Sequence, residues 1–334
     1  MKKKIFILSN DKVYYRNNIV SSDYNDTINI IESLAKNNDL KLISRSSKTI
    51  RNFVIKKKYY KNFSNIKIGN LKKVYNHMIF MISITPLNFI NFVILKFFNP
   101  KIAGYVYLRS DGHKEYYYKF GYFGELFYDL VFKIVTSKLK ILSVSKKITG
   151  LRNKYKLIKP SEIENRWFKH ITKPKIDKPR LLYIGRYKKE KGIFSLLNII
   201  NSSNIDLNLN VIGLKHDFSV SDKRIKLIKE INSIDKIIKY YDLCNIFILP
   251  SFTEGSPKVL LESLSRNRPV VIFDEIKHVK KNFKGIFSCK RNPKFFFKTI
   301  DYILHNYDRI LMNLKENKIN TKKEFQNELR KQIK

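Results

Sequence analysis

Short apolar runs alternate with stretches of helical period along most of the chain. In the first half, the runs predict strands at residues 4–8, 40–44, 78–84, 103–108 and 141–144. In the second half, RLLYIG, LNLNVIG, NIFILP and PVVIF predict four more. These four are apolar on both faces, as strands of a covered parallel sheet are. The pattern therefore indicates an α/β protein with parallel sheets.

A break in this pattern divides the chain. The stretch KYKLIKPSEIENRWFKHITKPKIDKPR carries three prolines and many charges, which predicts a linker at residues 169–179. A chain of 334 residues is also long for a single core. We expect an N-terminal domain at residues 1–172 and a second domain at 173–314. Residues 315–334 are expected either to cross back to the first domain as a helix or to fray.

One segment, HMIFMISITPLNFINFVILKFF, has no charge from Met78 to Leu95. Thr85 followed by Pro86 is a good helix start, because the hydroxyl caps and proline suits the first helical position. We therefore predict strand, turn and amphipathic helix over residues 78–98. Three interpretations stay open for the helix: it covers the first sheet, it contacts a membrane surface, or it spans a membrane.

Composition sets the class of partner. At 43% hydrophobic and 13% aromatic residues, general disorder is excluded. The formal net charge of +39 predicts attraction to anions: nucleic acid, phosphorylated substrates or an acidic membrane face. An alternative is that part of this charge is codon usage, since the chain is also rich in Ile, Asn, Tyr and Phe. Cys244 and Cys289 form no metal-spaced cluster or disulfide framework, which fits a reducing cytoplasm.

Two loops in the second half carry the candidate chemistry. After the strand RLLYI come Gly185, Arg186, a lysine-rich loop and then Lys191, a cation pair suited to a diphosphate. After NIFILP, the stretch EGSPKVLLE turns into a helix with Ser256 as N-cap and Pro257 in the first helical position. The amides of such a first turn favour an anion.

The two glutamates of EGSPKVLLE are unusual in so basic a chain. Glu254 lies in the loop and Glu262 on the apolar helix, where a charge is costly unless it has a partner. Near a phosphate site, such carboxylates suit hydroxyl groups. The alternatives are a solvated loop charge and an ordinary helix surface residue.

Together these residues resemble the retaining GT-B glycosyltransferases of family 4, also called group 1. The signature of that family is a Gly-Arg…Lys-Gly segment, then a strand, Pro-Ser and Glu-x7-Glu. The matching positions here are Gly185, Arg186, Lys191, Gly192, Pro250, Ser251, Glu254 and Glu262. The resemblance covers residues 180–273 and implies two Rossmann-like domains with a central cleft. The family's glycine-rich loop after the first strand is missing, since SNDKVYYRNN contains no glycine.

The resemblance implies roles for these residues. Glu262 would accept hydrogen bonds from the nucleotide ribose, Glu254 would lie beside the hydroxyls of the donor sugar, and Arg186 and Lys191 would neutralise the leaving diphosphate. The implied catalytic residues are thus Glu254, Arg186 and Lys191. Further substrate contacts are implied for Gly185, Gly255, Ser256, Pro257, Lys258 and Val259. The chain contains no Asp-x-Asp triplet, which is consistent with transfer without a metal or other cofactor.

The resemblance also implies the reaction and its partners. A hexose would pass with retention from a nucleotide-diphosphate sugar to a glycan or lipid-linked acceptor, in cell-surface polysaccharide or lipopolysaccharide assembly. The enzyme would be cytoplasmic and peripheral at the anionic inner face of the membrane. In the first half, Asp111 and His113 of YVYLRSDGHKEYYYKFG are the acceptor-side candidates. The alternative for them is a polar turn centred on Asp111 and Gly112.

Two other functions remain possible from sequence. A basic nucleic-acid-binding protein would use the same charge, although the lysines are dispersed and no specific binding module is present. A catalytically silent scaffold for glycan assembly would share the fold, although Glu254, Glu262, Arg186 and Lys191 are all present.

Overall fold

Two compact α/β units make up the chain. The computed structural model describes residues 2–16, 19–51, 53–55, 63–65, 77–149, 154–214, 219–254, 257–280 and 283–333. The first unit contains Met1–Glu162 together with Lys322–Lys334, and the second contains Ile163–Thr321. The division falls ten residues before the sequence-based boundary, and Lys322–Lys334 returns to the first unit.

The first unit is built on one sheet. Within the described residues its strands are β1 (Lys3–Arg16), β2 (Ile19–Ser22), β3 (Asn38–Ser46), β4 (Phe53–Val54), β5 (Phe63–Asn65), β6 (His77–Ile82), β7 (Gly104–Leu108), β8 (Lys140–Ser143) and β9 (Tyr155–Leu157). The main path runs β4-β2-β1-β6-β7-β8-β9, with β3 and β5 branching from β1. Strands β1, β6, β7 and β8 are parallel neighbours, which confirms the predicted parallel core.

Four helices cover this sheet in the described chain: α1 (Asn25–Ala35), α2 (Pro86–Phe98), α3 (Gly112–Lys138) and α9 (Lys322–Gln332). One face of the sheet packs against α1 and α9 and the other against α2 and α3. Helix α3 is two helical pieces joined at Gly121, whose backbone has a φ of 65°.

The segment after residue 8 differs from the prediction. It was expected to be a loop, but β1 continues to Arg16 and forms an antiparallel hairpin with β2, with Val13 opposite Ser22. A register irregularity between Leu8 and Lys12 separates this hairpin from the parallel part of the strand. The run KVYYR explains the extension, because β-branched and aromatic residues favour a strand.

Helix α2 has polar residues on the side that faces the core, unlike a simple amphipathic helix. Thr85 caps it as predicted, its hydroxyl accepting from the Asn88 amide at 3.3 Å. The polar Asn88 and Asn91 face inward with Phe92 and Leu95. The Asn88 side-chain nitrogen donates to the carbonyls of Ile82 and Ser83, so the burial of this nitrogen is compensated. Across the described residues, no helix combines the length and the apolar character needed to cross a bilayer.

The second unit holds a parallel sheet in the order β12-β11-β10-β13-β14-β15. Its strands are β10 (Arg180–Ile184), β11 (Asn208–Leu214), β12 (Ile225–Lys229), β13 (Ile246–Leu249), β14 (Val270–Phe273) and β15 (Ile286–Cys289). Its helices, in the part of the chain that is described, are α4 (Ile193–Asn201), α5 (Ile234–Leu243), α6 (Lys258–Ser265), α7 (Pro293–His305) and α8 (Tyr307–Lys315). The four predicted strands are β10, β11, β13 and β14; β12 and β15 were not predicted.

Two buried arginines bind the segment that precedes β10 to the rest of this unit. Arg266 and Arg268 are fully buried, and both pair with Asp242. Arg266 also donates to the carbonyls of Trp167, Lys169 and His170, and Arg268 to that of Thr172. The predicted linker therefore has no regular structure but is held by hydrogen bonds. Cys244 and Cys289 are free and buried, as expected.

Candidate functional site

The candidate site lies where the strand order of the second sheet reverses. From β10 the chain passes to β11 on one side, and from β13 to β14 on the other. In such sheets, ligands bind in the crevice outside the carboxyl ends of the strands at this point. The loops that follow β10 and β13 are the two that carry the sequence-predicted residues.

Gly192 allows these two loops to touch. Its φ is 71°, and a Cβ built there would lie 1.8 Å from the carbonyl oxygen of Pro250. Any side chain would therefore both strain the backbone and push the loops apart. The amide of Phe252 also donates to the Glu190 carbonyl at 3.0 Å. The Lys-Gly pair of the motif is thus explained by close backbone packing.

The contact of the loops brings together a lysine and a glutamate. Lys191 Nζ donates to Glu254 Oε1 at 2.7 Å, and Ser251 Oγ donates to the same oxygen at 2.7 Å. The Glu254 side chain is 10% exposed and that of Lys191 24%. Because an ammonium has three donors, Lys191 can hold Glu254 and a phosphate oxygen at the same time.

Glu262 has the partner that its burial required. It is 6% exposed, and its Oε2 accepts from the hydroxyl of Tyr241 at 3.1 Å. Lys258 Nζ lies 3.6 Å from Oε1, one turn earlier on α6. Burial, and then the charge of Glu262, raise the pKa of Tyr241 well above its usual value, so this hydroxyl remains a donor.

The other predicted residues of the second unit lie around these two carboxylates. Gly185 follows β10 and its amide donates to the Ile212 carbonyl at 3.0 Å, while Arg186 is exposed. Pro257 is the N-cap of α6, one position later than the Ser256 that was predicted; Lys258 and Val259 form the first turn. Residues 255 and 256 lie outside the described residues.

Sequence reasoning missed Arg291, which supports the loop after β13. Its guanidinium donates to the carbonyls of Pro250 at 2.8 Å and Ser251 at 3.3 Å. It stacks between two rings, 3.9 Å from the centroid of Phe252 and 4.2 Å from that of Phe273. Glu275 accepts from its Nε at 2.8 Å, which lowers the pKa of Glu275 against the opposing effect of burial. Arg291 lies two residues after the end of β15, so a prediction of that strand would have pointed to Arg291.

His278 was also missed. Its Nε2 lies 2.7 Å from the carbonyl oxygen of Glu254, so that nitrogen carries the proton and donates. The residue belongs to the segment Asp274–Lys280, a 3-10 helix after β14. This segment therefore holds the backbone of Glu254.

The first unit has its own polar cavity of about 390 Å³. It lies at the carboxyl ends of β6 and β7, and its lining includes Asp11, Ser83, Arg109, Ser110, Glu115 and Tyr116. Arg109 is central, because its Nε donates to Ser83 Oγ at 3.2 Å and its Nη2 lies 3.8 Å from Asp11. Such a site can hold hydroxyl groups through carboxylates and a guanidinium.

Asp26 completes the network behind this cavity. Its Oδ2 lies 3.5 Å from Arg109 Nη1. Burial, opposed by the charge of Arg109, raises the pKa of Asp26 to about 6. Thr27, next in the chain, donates its hydroxyl to Asp11. A carboxyl of this kind changes charge within the range in which enzymes commonly work.

The acceptor-side candidates lie beside the cavity. Asp111 caps α3 by accepting from the Lys114 amide at 3.3 Å. The Nε2 of His113 lies 3.6 Å from Asp129, and the ring packs edge-on against Tyr128. The cavity lining formed by the described residues does not include either of them.

The fold is shared with solved structures. A crystal structure of Anabaena Alr3699/HepE in complex with UDP matches 99% of this chain and 99% of that chain, with a TM-score of 0.69 and 10% identity. The protein therefore has the two-unit α/β fold of GT-B glycosyltransferases, as predicted. Residues 165–323, a little under half of the chain, match the family described as "Glycosyl transferases group 1". That segment is similar to group 1 glycosyltransferase domains, and it contains the whole of the site described in the second unit.

Curated relatives match over shorter stretches. The "Putative teichuronic acid biosynthesis glycosyltransferase TuaC" of Bacillus subtilis strain 168 is 28% identical over 30% of this chain and 25% of its own length. An "Uncharacterized glycosyltransferase" of Haemophilus influenzae is 25% identical over 40% of this chain and 41% of its own length. The matches thus span between a quarter and two fifths of these relatives.

Proposed function

We propose that the protein is a retaining hexosyltransferase that uses a nucleotide-diphosphate sugar. The observation that carries the proposal is the meeting of Lys191 with Glu254, and of Glu262 with Tyr241, at the switch point of the second sheet. The matching Anabaena structure is a complex with UDP, which supports a nucleotide donor for this chain too.

Each group has a role that follows from its position. Glu262 accepts hydrogen bonds from the nucleotide ribose, while the Tyr241 hydroxyl holds its second oxygen in place. Lys191 and the exposed Arg186 bind the diphosphate. Glu254 orients the sugar hydroxyls, and the turn at Pro257 that opens α6 lines the donor.

The chemistry follows from where charge develops. As the bond between the anomeric carbon and phosphate breaks, negative charge grows on the leaving diphosphate and positive charge on the sugar. Preorganised cations lower this barrier, and one such donor is worth about 2.7–4 kcal/mol. Lys191 and Arg186 supply them from side chains, so the transfer needs no metal. The acceptor hydroxyl attacks on the face from which the diphosphate leaves, which retains configuration without a protein nucleophile.

The acceptor is a glycan or a lipid-linked saccharide of a cell-surface polysaccharide. The polar cavity of the first unit supports this, because its carboxylates and Arg109 suit a polyhydroxylated ligand. The printed name of the Bacillus subtilis relative, which refers to teichuronic acid biosynthesis, points to the same substrate class. With a net charge of +39, the enzyme works in the cytoplasm at the anionic inner face of the membrane.

Calorimetric titration with UDP-, GDP- and ADP-sugars in EDTA tests the donor site. We expect one nucleotide to bind, and Lys191→Met to weaken its binding about tenfold or more, because a charged hydrogen bond is lost. Lys188→Met is the matched control, since Lys188 lies in the same loop and, among the described residues, pairs with the exposed Glu190, at 3.7 Å.

Glu262→Gln isolates the ribose contact. Glutamine keeps an acceptor for Tyr241 but removes the charge, so we expect weaker nucleotide binding with little change in melting temperature. Folded protein that binds none of the nucleotide sugars would overturn the proposal. If that protein bound duplex DNA in a strongly salt-dependent manner, the nucleic-acid function would replace it.

A further inference from the structure

Helix α3 is apolar on its outer side as well as its inner side. After the kink, its inner residues Tyr128, Val131, Phe132 and Val135 are buried in the core. Its outer residues are large and exposed: Phe123 80%, Leu126 54%, Phe127 49%, Leu130 59% and Ile134 40%. Their spacing of three and four residues places them in one stripe along the helix. Packing against the sheet explains the inner stripe only.

Helix α2 repeats this arrangement. Ile90, Val93 and Phe97 are 55%, 46% and 82% exposed, whereas the two asparagines of the helix face inward. Phe92 of α2 and Phe132 of α3 belong to the same core cluster, so both helices cover the same face of the sheet. Their outer sides therefore point away from the sheet in the same direction.

The ends of the two helices are also close together. The pKa of Lys96, in the last turn of α2, is lowered by partial burial and by the charge of Lys138, in the last turn of α3. In the first half of α3, the backbone turns at Gly121, where a Cβ would meet no atom within 4 Å. Phe120 and Tyr122, on either side of this turn, are 65% and 67% exposed.

We call this surface the α2–α3 outer face. It consists of Ile90, Val93, Phe97, Phe98, Tyr117, Phe120, Tyr122, Phe123, Leu126, Phe127, Leu130 and Ile134. Within the described residues, these are twelve of the twenty-six exposed large hydrophobic side chains, although the two helices hold only forty residues. Scattered exposed apolar residues are ordinary, but such a concentration marks an interaction surface.

Lysines surround the apolar residues. Lys114 and Lys119 lie near the start of α3 and Lys133 and Lys138 near its end, and all four are exposed. Glu115, Glu125 and Asp129 of the same helix offset part of this charge, with Asp129 2.6 Å from Lys133. Aromatic and aliphatic side chains beside lysines are the composition of helices that lie in the interface of a bilayer, where rings occupy the head-group level.

We propose that the α2–α3 outer face docks on an anionic lipid bilayer, with its aromatic residues in the interfacial layer and its lysines at the head groups. The charge of the chain decides between occupants. A second copy would bring another +39 against the same lysines, whereas anionic lipid attracts them. The inference deepens the proposed membrane-facing function by naming the surface, and it does not depend on donor binding.

Vesicle co-sedimentation tests the surface with the full-length protein. The probes are vesicles of phosphatidylglycerol with phosphatidylcholine, and vesicles of phosphatidylcholine alone, at about 0.1 M salt. The test variant changes Phe123, Phe127 and Leu130 to Ser. The control variant changes Leu243, Phe295 and Met312 to Ser, which are exposed residues of the second unit. Melting temperature and nucleotide-sugar binding are measured for each protein.

We expect the wild type and the control variant to bind the anionic vesicles, and the test variant to bind at least about tenfold more weakly. All three should keep the same donor affinity. Equal vesicle binding by the test variant would overturn the proposal, since charge alone would then suffice. Absence of vesicle binding by the wild type would overturn it too, and dimerisation lost in the test variant would assign the face to a second copy. Loss of donor binding with vesicle binding intact would refute the transferase function alone.

Discussion

Arg291 offers the sharpest test of how the donor site is held. We consider Arg291→Lys and Arg291→Met. Either change removes the planar fork that reaches the carbonyls of Pro250 and Ser251 and stacks between Phe252 and Phe273. Lysine keeps the charge but neither the fork nor the stacking geometry, so the pair of variants separates charge from shape.

The size of the effect follows from these contacts. The 2.8 Å bond to the Pro250 carbonyl is a charged hydrogen bond, worth about 1.5–3 kcal/mol. Stacking on each ring adds about 0.5–1 kcal/mol, while the ion pair with the 37% exposed Glu275 adds little. A loss of about 3 kcal/mol would lower the melting temperature by about 6–12 °C for a unit of this size.

Nucleotide-sugar binding should weaken together with stability in these variants. Because Arg291 supports the loop that carries Ser251 and Glu254, we expect nucleotide-sugar affinity in calorimetry to fall about tenfold or more in both variants. Arg309→Lys, on the exposed side of α8, is the control and should change neither quantity. A lysine variant with the melting temperature and affinity of the wild type would refute the reasoning, since charge alone would then be enough.

Three further predictions concern buried polar groups. Asp242→Ala leaves two buried guanidinium groups without their carboxylate, so urea unfolding should show a loss of about 3 kcal/mol; the exposed Asp235→Ala should lose almost nothing. Asp26 has a folded-state pKa of about 6 against 3.8, so its neutral form is the stable one. Stability should fall as the pH rises from about 4 to above 6, and Asp26→Asn should remove that fall, worth about 3 kcal/mol, in melting curves at several pH values. Tyr241→Phe should cost about 1–2 kcal/mol and weaken nucleotide binding several-fold in calorimetry, because the hydroxyl that donates to Glu262 Oε2 is lost.

Much of the second unit could be read from sequence. Its central strands are apolar on both faces and end in glycine, proline or serine, so their limits and the loops after them were predictable. The Lys191–Glu254 contact itself was not, since it depends on Gly192 approaching Pro250, a packing relation between loops far apart in the chain. Arg291 was missed for a related reason: it donates to the backbone carbonyls of Pro250 and Ser251, which lie far away in the chain and leave no residue-type pattern.

The first unit was harder to predict. Its outer strands are short and polar, and the first strand was predicted to end at residue 8 because the apolar run stops there, although β1 continues through KVYYR. On α2, side-chain polarity suggested that Asn88 would face solvent. The free carbonyls of Ile82 and Ser83 instead make the inner side the better place for its amide. The local pattern could not show this, because both acceptors precede the helix.

Arg266 joins helix α6 to the segment that precedes β10. Helix α6 carries Glu262 and ends beside Arg266, whose guanidinium donates to the carbonyls of Trp167, Lys169 and His170. The eight residues of α6 form a rigid element of about 12 Å. The position of Glu262 is therefore fixed, through one short helix, to that of residues 167–170 of the second unit.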